Sequence, residues 1–590
     1  MKSPSIYIEL LLNVLADAHC GPSGRSSDLS RDVSYVSRRY DSEGLQFLTT
    51  TLPTLGKALI ESLETGLFVL PQGFKPRSRK SQIPAFGQVF FKRLFSDDGL
   101  LLDDPDPYSV QELIQILMMF YKIDVPYSDE QCSRVIEKFV TTDAELDRLD
   151  LSKAPSEILL EAQRFLARLF KRFDPREIVP RHGPGAVASG EKLNEKWTFK
   201  VHYHRIHEKY PYYDYFVANR TEELLDRVKW YRNLRREISG CTKVVLVPKD
   251  SRGPRLISSE PLEYMYLQQG LGREITRLCE SHPLTRGFVN FTDQSINGRY
   301  AFESSMDRRY ATLDLEEASD RVSVKLVEAL FPPWITPYLL ALRSTHTQLP
   351  NKEVMALNKF APMGSALCFP VMSLTLYAIS KACVKFHGNG CDDVLVYGDD
   401  LVVPSTIAET LMGLLPAFGL RANSKKSFFR GYFRESCGSD AFRGVAVNPL
   451  RVRKPWSGSP KDAAAFASYW ALSQAMLDRG FWRSSKFLQD QVETMYGKVP
   501  YGTSTSGYIC RPVSAVNAER LNVSSRLRRR WRADLQRWEF RCRSIGSPGI
   551  KSPLSGWPRL LKGLTNPSLG DPQLGVESRS TKIRTGWWPV

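Results

Sequence analysis

The sequence predicts an α+β fold. Three observations predict it: helical periodicity gathered into separate blocks, a β-rich block between them, and two adjacent acids set inside an apolar stretch of that β-rich block. The helical blocks lie within 108–172, where "YSVQELIQILMMFYKI" and "PSEILLEAQRFLARLFKRF" carry apolar residues three and four apart, and at 461–497. From about 241 to about 447 the texture changes to short β-rich runs separated by charged loops. The acids are Asp399 and Asp400 in "VLVYGDDLVVPS", 394–405.

Taken in chain order, the first element is an amphipathic helix rather than a secretory leader. Ile6, Leu10, Leu11 and Val14 recur at helical spacing, and Glu9, Asn13 and Asp17 interrupt the apolar centre. Residues 20–45, polar and rich in Ser and Arg, read as a loop. "PRHGPGAVASG", 180–190, is turn chemistry. From 544 on, Pro, Gly and Ser dominate up to "TGWWPV", the composition of an extended tail or surface wrap. There is no internal repeat.

A chain of 590 residues, 42% hydrophobic and 11% aromatic, is long enough for several subdomains around large cores. Its net charge of +17 speaks of a polyanionic partner, nucleic acid ahead of a membrane surface. No apolar run is long enough to span a bilayer. The ten cysteines show no paired CxxC spacing and read as reduced thiols, not as disulfides or a zinc site.

"LVYGDDLVV" reads as strand, tight turn, strand, with Asp399 and Asp400 at the tip. Gly-Asp-Asp alone is ordinary turn composition. A second pair of acids changes its weight: "YATLDL" has strand character and places Asp314 at a strand end, with Asp320 just beyond, beside Ser319, a good helix N-cap. If the two strands are neighbours, the carboxylates converge and repel unless a divalent cation joins them. Oxygen ligands suit magnesium. Two such ions about 3.5–4 Å apart would serve an in-line phosphoryl displacement.

Around these acids the ordered motifs resemble a right-hand polymerase, and more closely the replicase catalytic (beta) subunit of the positive-strand RNA bacteriophages, the levivirus type. "VPKDSRGPRLISSEP" (247–261) resembles the basic fingers motif and "DLEEASDRVS" (314–323) the first palm motif. "MGSALCFPVMSL" (363–374) resembles the second and "YGDD" (397–400) the third. "NSKKSFF" (423–429) and "FRESCG" (433–438) resemble the fourth and fifth. "DDGLLLDD", "RHGPGA" and "DQSIN" also resemble family segments. Similarity covers roughly 80–510. Ser365 stands where the best-known members carry Asn.

The resemblance implies fingers, palm and thumb, with an antiparallel palm sheet backed by helices. It divides the chain into an N-terminal helical region and part of the fingers (1–240), a basic fingers segment (241–300), a palm (301–447), a helical thumb region (448–543) and the C-terminal tail (544–590). It implies an RNA-directed RNA polymerase that copies a viral single-stranded genome from ribonucleoside triphosphates. Asp314, Asp399 and Asp400 would be the catalytic, metal-holding acids for two Mg²⁺ ions, with Mn²⁺ or Ca²⁺ able to substitute in binding. Asp320 would accept a hydrogen bond from the ribose 2′-hydroxyl. Partners would be an RNA template and product and, in the host cytoplasm, elongation factors Tu and Ts and a ribosomal protein, with no membrane.

The residues themselves fit several of these roles. Lys243, Lys249, Arg252 and Arg255 fall within 13 residues and would form a cationic ceiling over a triphosphate, rather than a solvated strand edge. Gly364 and Ser365 precede an apolar helix, where backbone approaches a template and a helix N-terminus attracts phosphate. Lys425 or Lys426 would protonate the departing pyrophosphate. In "SSRLRRRWRADLQRWEFRCR", 524–543, a helix would present Arg528, Arg529, Arg530 and Trp531 to an RNA backbone, or dock a partner. The rival readings are a reverse transcriptase, separated by its preference for deoxyribonucleotides, and a non-catalytic RNA-binding protein on a polymerase fold. The presence of Asp314, Asp399 and Asp400 argues against decay.

Overall fold

The structure, a computed structural model, describes residues 5–20, 26–192, 195–216, 224–388, 393–503, 506, 508–546 and 582–589. It mixes helices with several small sheets, as an α+β fold should. The central sheet runs antiparallel in the order Tyr310–Leu313, Asp400–Pro404, Leu395–Tyr397. Its strands are buried because Ala311, Leu313, Val396, Leu401 and Val403 face one large core. The helix Cys368–His387 backs it, and buries residues all round, from Val371 and Leu374 to Ala378 and Val384. Behind that helix packs Ser156–Leu169, whose amphipathic stripe supplies Ile158, Ala162, Phe165 and Leu166.

A second sheet orders Gly253–Ser259, Cys241–Asp250, His346–Gln348 and Val354–Ala356. Its long hairpin carries the basic motif, and the register slips between Val247 and Asp250. A second core joins the chain's first part to a late one: Leu11, Leu55 and Leu117 pack with Phe433, Phe466 and Leu488. The helices Ala463–Asp478 and Trp482–Tyr496 supply the late half, as their periodicity predicts.

Three expectations need correction. Residues 26–43 are a helix rather than a loop. Its inward stripe is Leu29, Asp32, Val36 and Tyr40, and the acid in that stripe accepts from the Gly87 N–H at 3.2 Å and lies 3.3 Å from the His19 ring. The β-rich block also holds long helices, Leu262–Ser281 and Ser295–Asp307, the first inside the expected basic segment. The expected helix at 524–543, within the expected helical region 448–543, is a hairpin: Arg529–Arg532 pairs with Arg537–Gly546. Trp531 faces Trp538 across it, ring centroids 5.3 Å apart, and Arg530 faces Glu539. These cross-strand pairs stabilise strands, not a helix. The described end of the tail lies against the molecule as a surface wrap does: Lys582–Pro589 adds a third antiparallel strand to that hairpin. Residues 547–581 of the tail, and Met1–Pro4 of the first element, lie outside the described residues.

The helix Ile6–Ala18 is present, capped by Ser5. Nine described cysteines are free thiols, and Cys391 lies outside the described residues. No helix among the described residues is long and apolar enough to cross a membrane.

Candidate active site

The hairpin turn brings Tyr397 opposite Asp400 and leaves Asp399 at the tip. Gly398 makes the turn possible: its φ is 68°, and a Cβ there would overlap the Phe369 ring. On the neighbouring strand Leu313 pairs with Leu401, so Asp314 emerges beside the tip. The far side of that strand is covered by the segment from Ala422 to Phe428, which bridges to Leu315 and Thr312. That segment delivers Asn423, whose Nδ2 donates to Asp314 Oδ2 at 3.2 Å, and Lys426, whose Nζ lies 3.2 Å from the same oxygen.

Burial raises the pKa of Asp399, and Asp314 beside it raises it further, while Arg255 and Lys426 pull the other way. Asp400 is pushed up to about 6 by burial and by the charge of Asp399, against hydrogen bonds from the Cys437 N–H and thiol. Lys426 is drawn down by burial, but Asp314 and Glu435 outweigh this and its pKa stands above the ordinary value. Among the described residues no three His, Cys, Asp or Glu side chains stand close enough to hold a metal ion unaided. The donors nonetheless suit a divalent cation: hard carboxylate oxygens, mutually repelled and short of positive charge.

Burial, with this repulsion added to it, predicts a stability effect. A carboxyl with a raised folded-state pKa is disfavoured when charged, so the cost of Asp400 is full above about pH 6 and is relieved as pH falls toward 3.8. Asp400→Asn should therefore raise the Tm of the metal-free chain at pH 8, by a stabilisation on the order of 1–3 kcal/mol. The gain should shrink toward pH 5. Thermal melts that show no gain at pH 8 would contradict the arrangement.

The basic hairpin is only partly gathered over the acids. Arg255 acts on Asp399 electrostatically. Burial lowers the Lys249 pKa, and Arg255 lowers it further, which puts the two cations close together. Arg252 is tied back by Asp250 at 2.8 Å and lies over Tyr121. Lys243 is exposed along the strand, opposite Ser259 and Gln348. Gly364, φ 128°, seats its loop on this hairpin: Ser258 N–H donates to Met363 O at 2.8 Å, and a Cβ on Gly364 would strike the Ser258 carbonyl. Its missing side chain thus serves a contact within the chain. Ser365 is buried, and its Oγ accepts from the Leu367 N–H just before the helix Cys368–His387. Of the two lysines, Lys426 reaches the acids; the exposed Lys425 does not pair with them.

Asp320 lies in a short helical turn, Ala318–Arg321. The following helix, Val324–Leu330, is capped by Ser323 rather than Ser319. Asp320 Oδ1 accepts from Lys359 Nζ at 3.1 Å, and burial raises its carboxyl against the pull of that lysine. Lys359 and its other partner, Asp143, were not legible as site residues. The available signal was Asp143 itself, an acid on the same helical stripe as Phe139 and Leu146. Asn423, Cys437 and Asn297, whose Nδ2 donates to Asp400 O at 3.2 Å, are further braces that the sequence did not single out.

Arg528, Arg529, Arg530 and Trp531 lie far along the chain on the terminal hairpin and do not join the acids. Arg530, Arg532 and Arg537 converge on the buried Glu539, at 2.7, 3.5 and 2.9 Å. Arg529 lies over Trp538 and Arg530 over Trp587. Trp531 is 48% exposed.

Residues 121–462 match the family model described as RNA replicase, beta-chain. Over 212 residues the chain is 38% identical to the RNA-directed RNA polymerase beta chain of Escherichia phage MS2, covering 36% of this chain and 38% of the relative. It is 36% identical over 217 residues to the RNA-directed RNA polymerase subunit beta of Qbeta virus (strain MX1), covering 37% and 36%. With the RNA-directed RNA polymerase beta chain of Enterobacteria phage GA it shares 30% identity over 315 residues, covering 52% and 57%. The matched stretches thus span from just over a third to just over half of these relatives' lengths.

Proposed function

Because the chain belongs to the RNA replicase beta-chain family, we propose that it is an RNA-directed RNA polymerase. In this reading it joins a ribonucleoside triphosphate to an RNA 3′-hydroxyl, copies a viral single-stranded genome and releases pyrophosphate. The observation that carries the reading is the meeting of Asp314 with the Asp399–Asp400 tip at the ends of adjacent antiparallel strands, beside Lys426 and Arg255. The central sheet is then a palm, the basic hairpin part of the fingers, and the helices after 448 a thumb.

Each residue has a task in that reaction. Arg255 and Lys249 offset the triphosphate charge as it enters. Asp320 accepts the ribose 2′-hydroxyl. Lys426, kept protonated by Asp314, holds a proton within reach of the departing pyrophosphate oxygen. Asp314, Asp399 and Asp400 would hold two Mg²⁺ ions, with Mn²⁺ or Ca²⁺ able to substitute in binding. The ions, when bound, offset charge on the attacking and leaving oxygens. Host elongation factors Tu and Ts and a ribosomal protein belong to the same proposal, by family resemblance, as does work in the cytoplasm of an infected bacterium. Primer extension by the purified chain, with and without host extract, tests it. No ribonucleotide incorporation under either condition would overturn it, and a preference for deoxyribonucleotides would point to a reverse transcriptase.

RNA binding should be steeply salt-dependent and nearly indifferent to sequence. The excess charge of +17 motivates this, with a slope near −0.7 per phosphate contact on single strands. Arg528 and Arg529 carry no ion pair among the described residues, unlike Arg530. Replacing both with Ala should make the log–log slope shallower by roughly 1–1.5. Titrations between low and moderate salt that give a flat constant would remove the nucleic-acid reading of the charge; an unchanged slope in the variant would remove it from this hairpin.

A further inference from the structure

A fully buried ammonium sits next to the proposed sugar site. Lys359 has no exposed side-chain surface. Such a charge persists only when it is paired and its donors are used. Its Nζ donates to Asp320 Oδ1 at 3.1 Å, stands 3.7 Å from Asp143 Oδ1, and lies 3.4 Å from the centroid of the Phe139 ring.

The pairing is unequal. The Asp143 carboxylate is already held by the Asn358 N–H at 2.9 Å, the Lys359 N–H at 3.1 Å and the Asn358 amide at 3.3 Å. It is a fixed counter-charge. Asp320 uses one oxygen on Lys359, and its second oxygen receives no hydrogen bond among the described residues. A backbone bridge between Ser323 and Lys359 keeps the lysine in line with its target.

Asp143 and Phe139 belong to one helix, Asp129–Asp147, which grips the Asp320 turn at further points. Lys138 pairs with Glu317, and Thr142 donates to Glu317 at 3.2 Å. Arg321 reaches Glu145 at 2.9 Å. The other end of the helix holds the basic hairpin: Gln131 Nε2 donates to the Ser251 and Arg252 carbonyls at 3.3 and 3.0 Å. The Lys249 N–H donates to the Tyr127 hydroxyl just before the helix, at 3.0 Å. The twelve steps along the helix from Gln131 to Asp143 cover about 18 Å at 1.5 Å each.

We propose that Lys359, seated on Asp143 and Phe139, is the positioning residue that fixes the Asp320 carboxylate so that its free oxygen meets the 2′-hydroxyl of the incoming nucleotide. Lys359 touches no substrate. It acts through Asp320, and so the inference rests on the reading of Asp320 given above. Without the lysine, the carboxylate swings away from the sugar or takes up a proton, and the selection of ribose weakens.

The test compares kcat/KM for GTP and dGTP on one template, in wild type, Lys359→Met, Asp320→Ala and the double variant. Met keeps the length and suits a buried site. Lys359→Met should lower the GTP:dGTP ratio about tenfold, the scale of one charge-assisted hydrogen bond. The loss should fall on GTP and leave dGTP nearly unchanged, and the double variant should be no worse than Asp320→Ala. A structural role alone would lower both substrates together and leave the ratio intact. Asp143→Asn, which loosens the lysine without removing it, should give an intermediate ratio, and it carries the test if Lys359→Met does not fold. If Asp320→Ala lowers the ratio while the Lys359 or Asp143 variant leaves it unchanged, the positioning role is wrong. If Asp320→Ala itself leaves the ratio unchanged, the reading of Asp320 fails first, and the positioning role with it.

Discussion

Asp399→Asn should abolish nucleotide addition and leave RNA binding close to wild type. Asp399 is at the hairpin tip, largely buried, and its carboxyl is already strained toward neutrality by burial and by Asp314. An amide of the same shape keeps the turn but removes the charge the reaction needs. The fall should be at least about a thousandfold, the scale of a lost electrostatic partner of the transition state. RNA affinity should survive because the cations that would grip phosphate lie elsewhere, on the basic hairpin and the terminal sheet. Primer extension beside a filter-binding titration checks both halves. Activity within a few-fold of wild type would sink the assignment of this carboxylate, and a parallel loss of RNA binding would mean that the variant had disturbed the fold.

Asp320→Ala should cost ribonucleotides far more than deoxyribonucleotides. A site built to accept a hydroxyl rejects the analogue that lacks it, since its buried polar group is then left unpaired. Removing the acceptor abolishes that distinction, worth about 1–3 kcal/mol, or roughly 5- to 150-fold in the ratio of kcat/KM for GTP and dGTP. Asp320 lies six residues past Asp314, in its own helical turn, and is anchored by Lys359 rather than by the acids of the tip. Were both rates to fall together at constant ratio, Asp320 would be a structural acid holding Lys359 and nothing more.

Much of this architecture was legible because local rules and tertiary needs agree. Period-two alternation around a Gly gives the Asp399–Asp400 hairpin, and the same alternation ends a strand at Asp314. The apolar run after Ser365 gives a buried helix. Where the reading failed, the deciding partner was distant or polar. The helix Ser26–Glu43 buries an acid where a hydrophobic residue would have announced it, because His19 waits on another element. The Arg- and Trp-rich stretch satisfies a helical period and an alternating one about equally, and the strand that settles the matter, Lys582–Pro589, comes after the end of the stretch. Lys359 and Asp143 are 216 residues apart, a separation at which no local pattern signals a pair. Function was easier to read than fold at these places, since the chemistry concentrates acids and bases in short motifs while packing spreads its choices along the chain.

The Asp129–Asp147 helix works as a spacer of fixed length. Its outward residues, Glu130, Ser133, Arg134, Glu137, Thr141 and Ala144, face solvent and are free to drift. Its register is not. Losing one residue would turn everything beyond it by about 100° and draw it in by about 1.5 Å. Gln131 and Asp143 would then no longer serve the two loops they hold at once. The evolutionary signature of such an element is abundant substitution on one side with neither insertion nor deletion anywhere between its anchors, and a library of single-residue deletions across 132–142 should return no active member even where every substitution on the outer face is accepted.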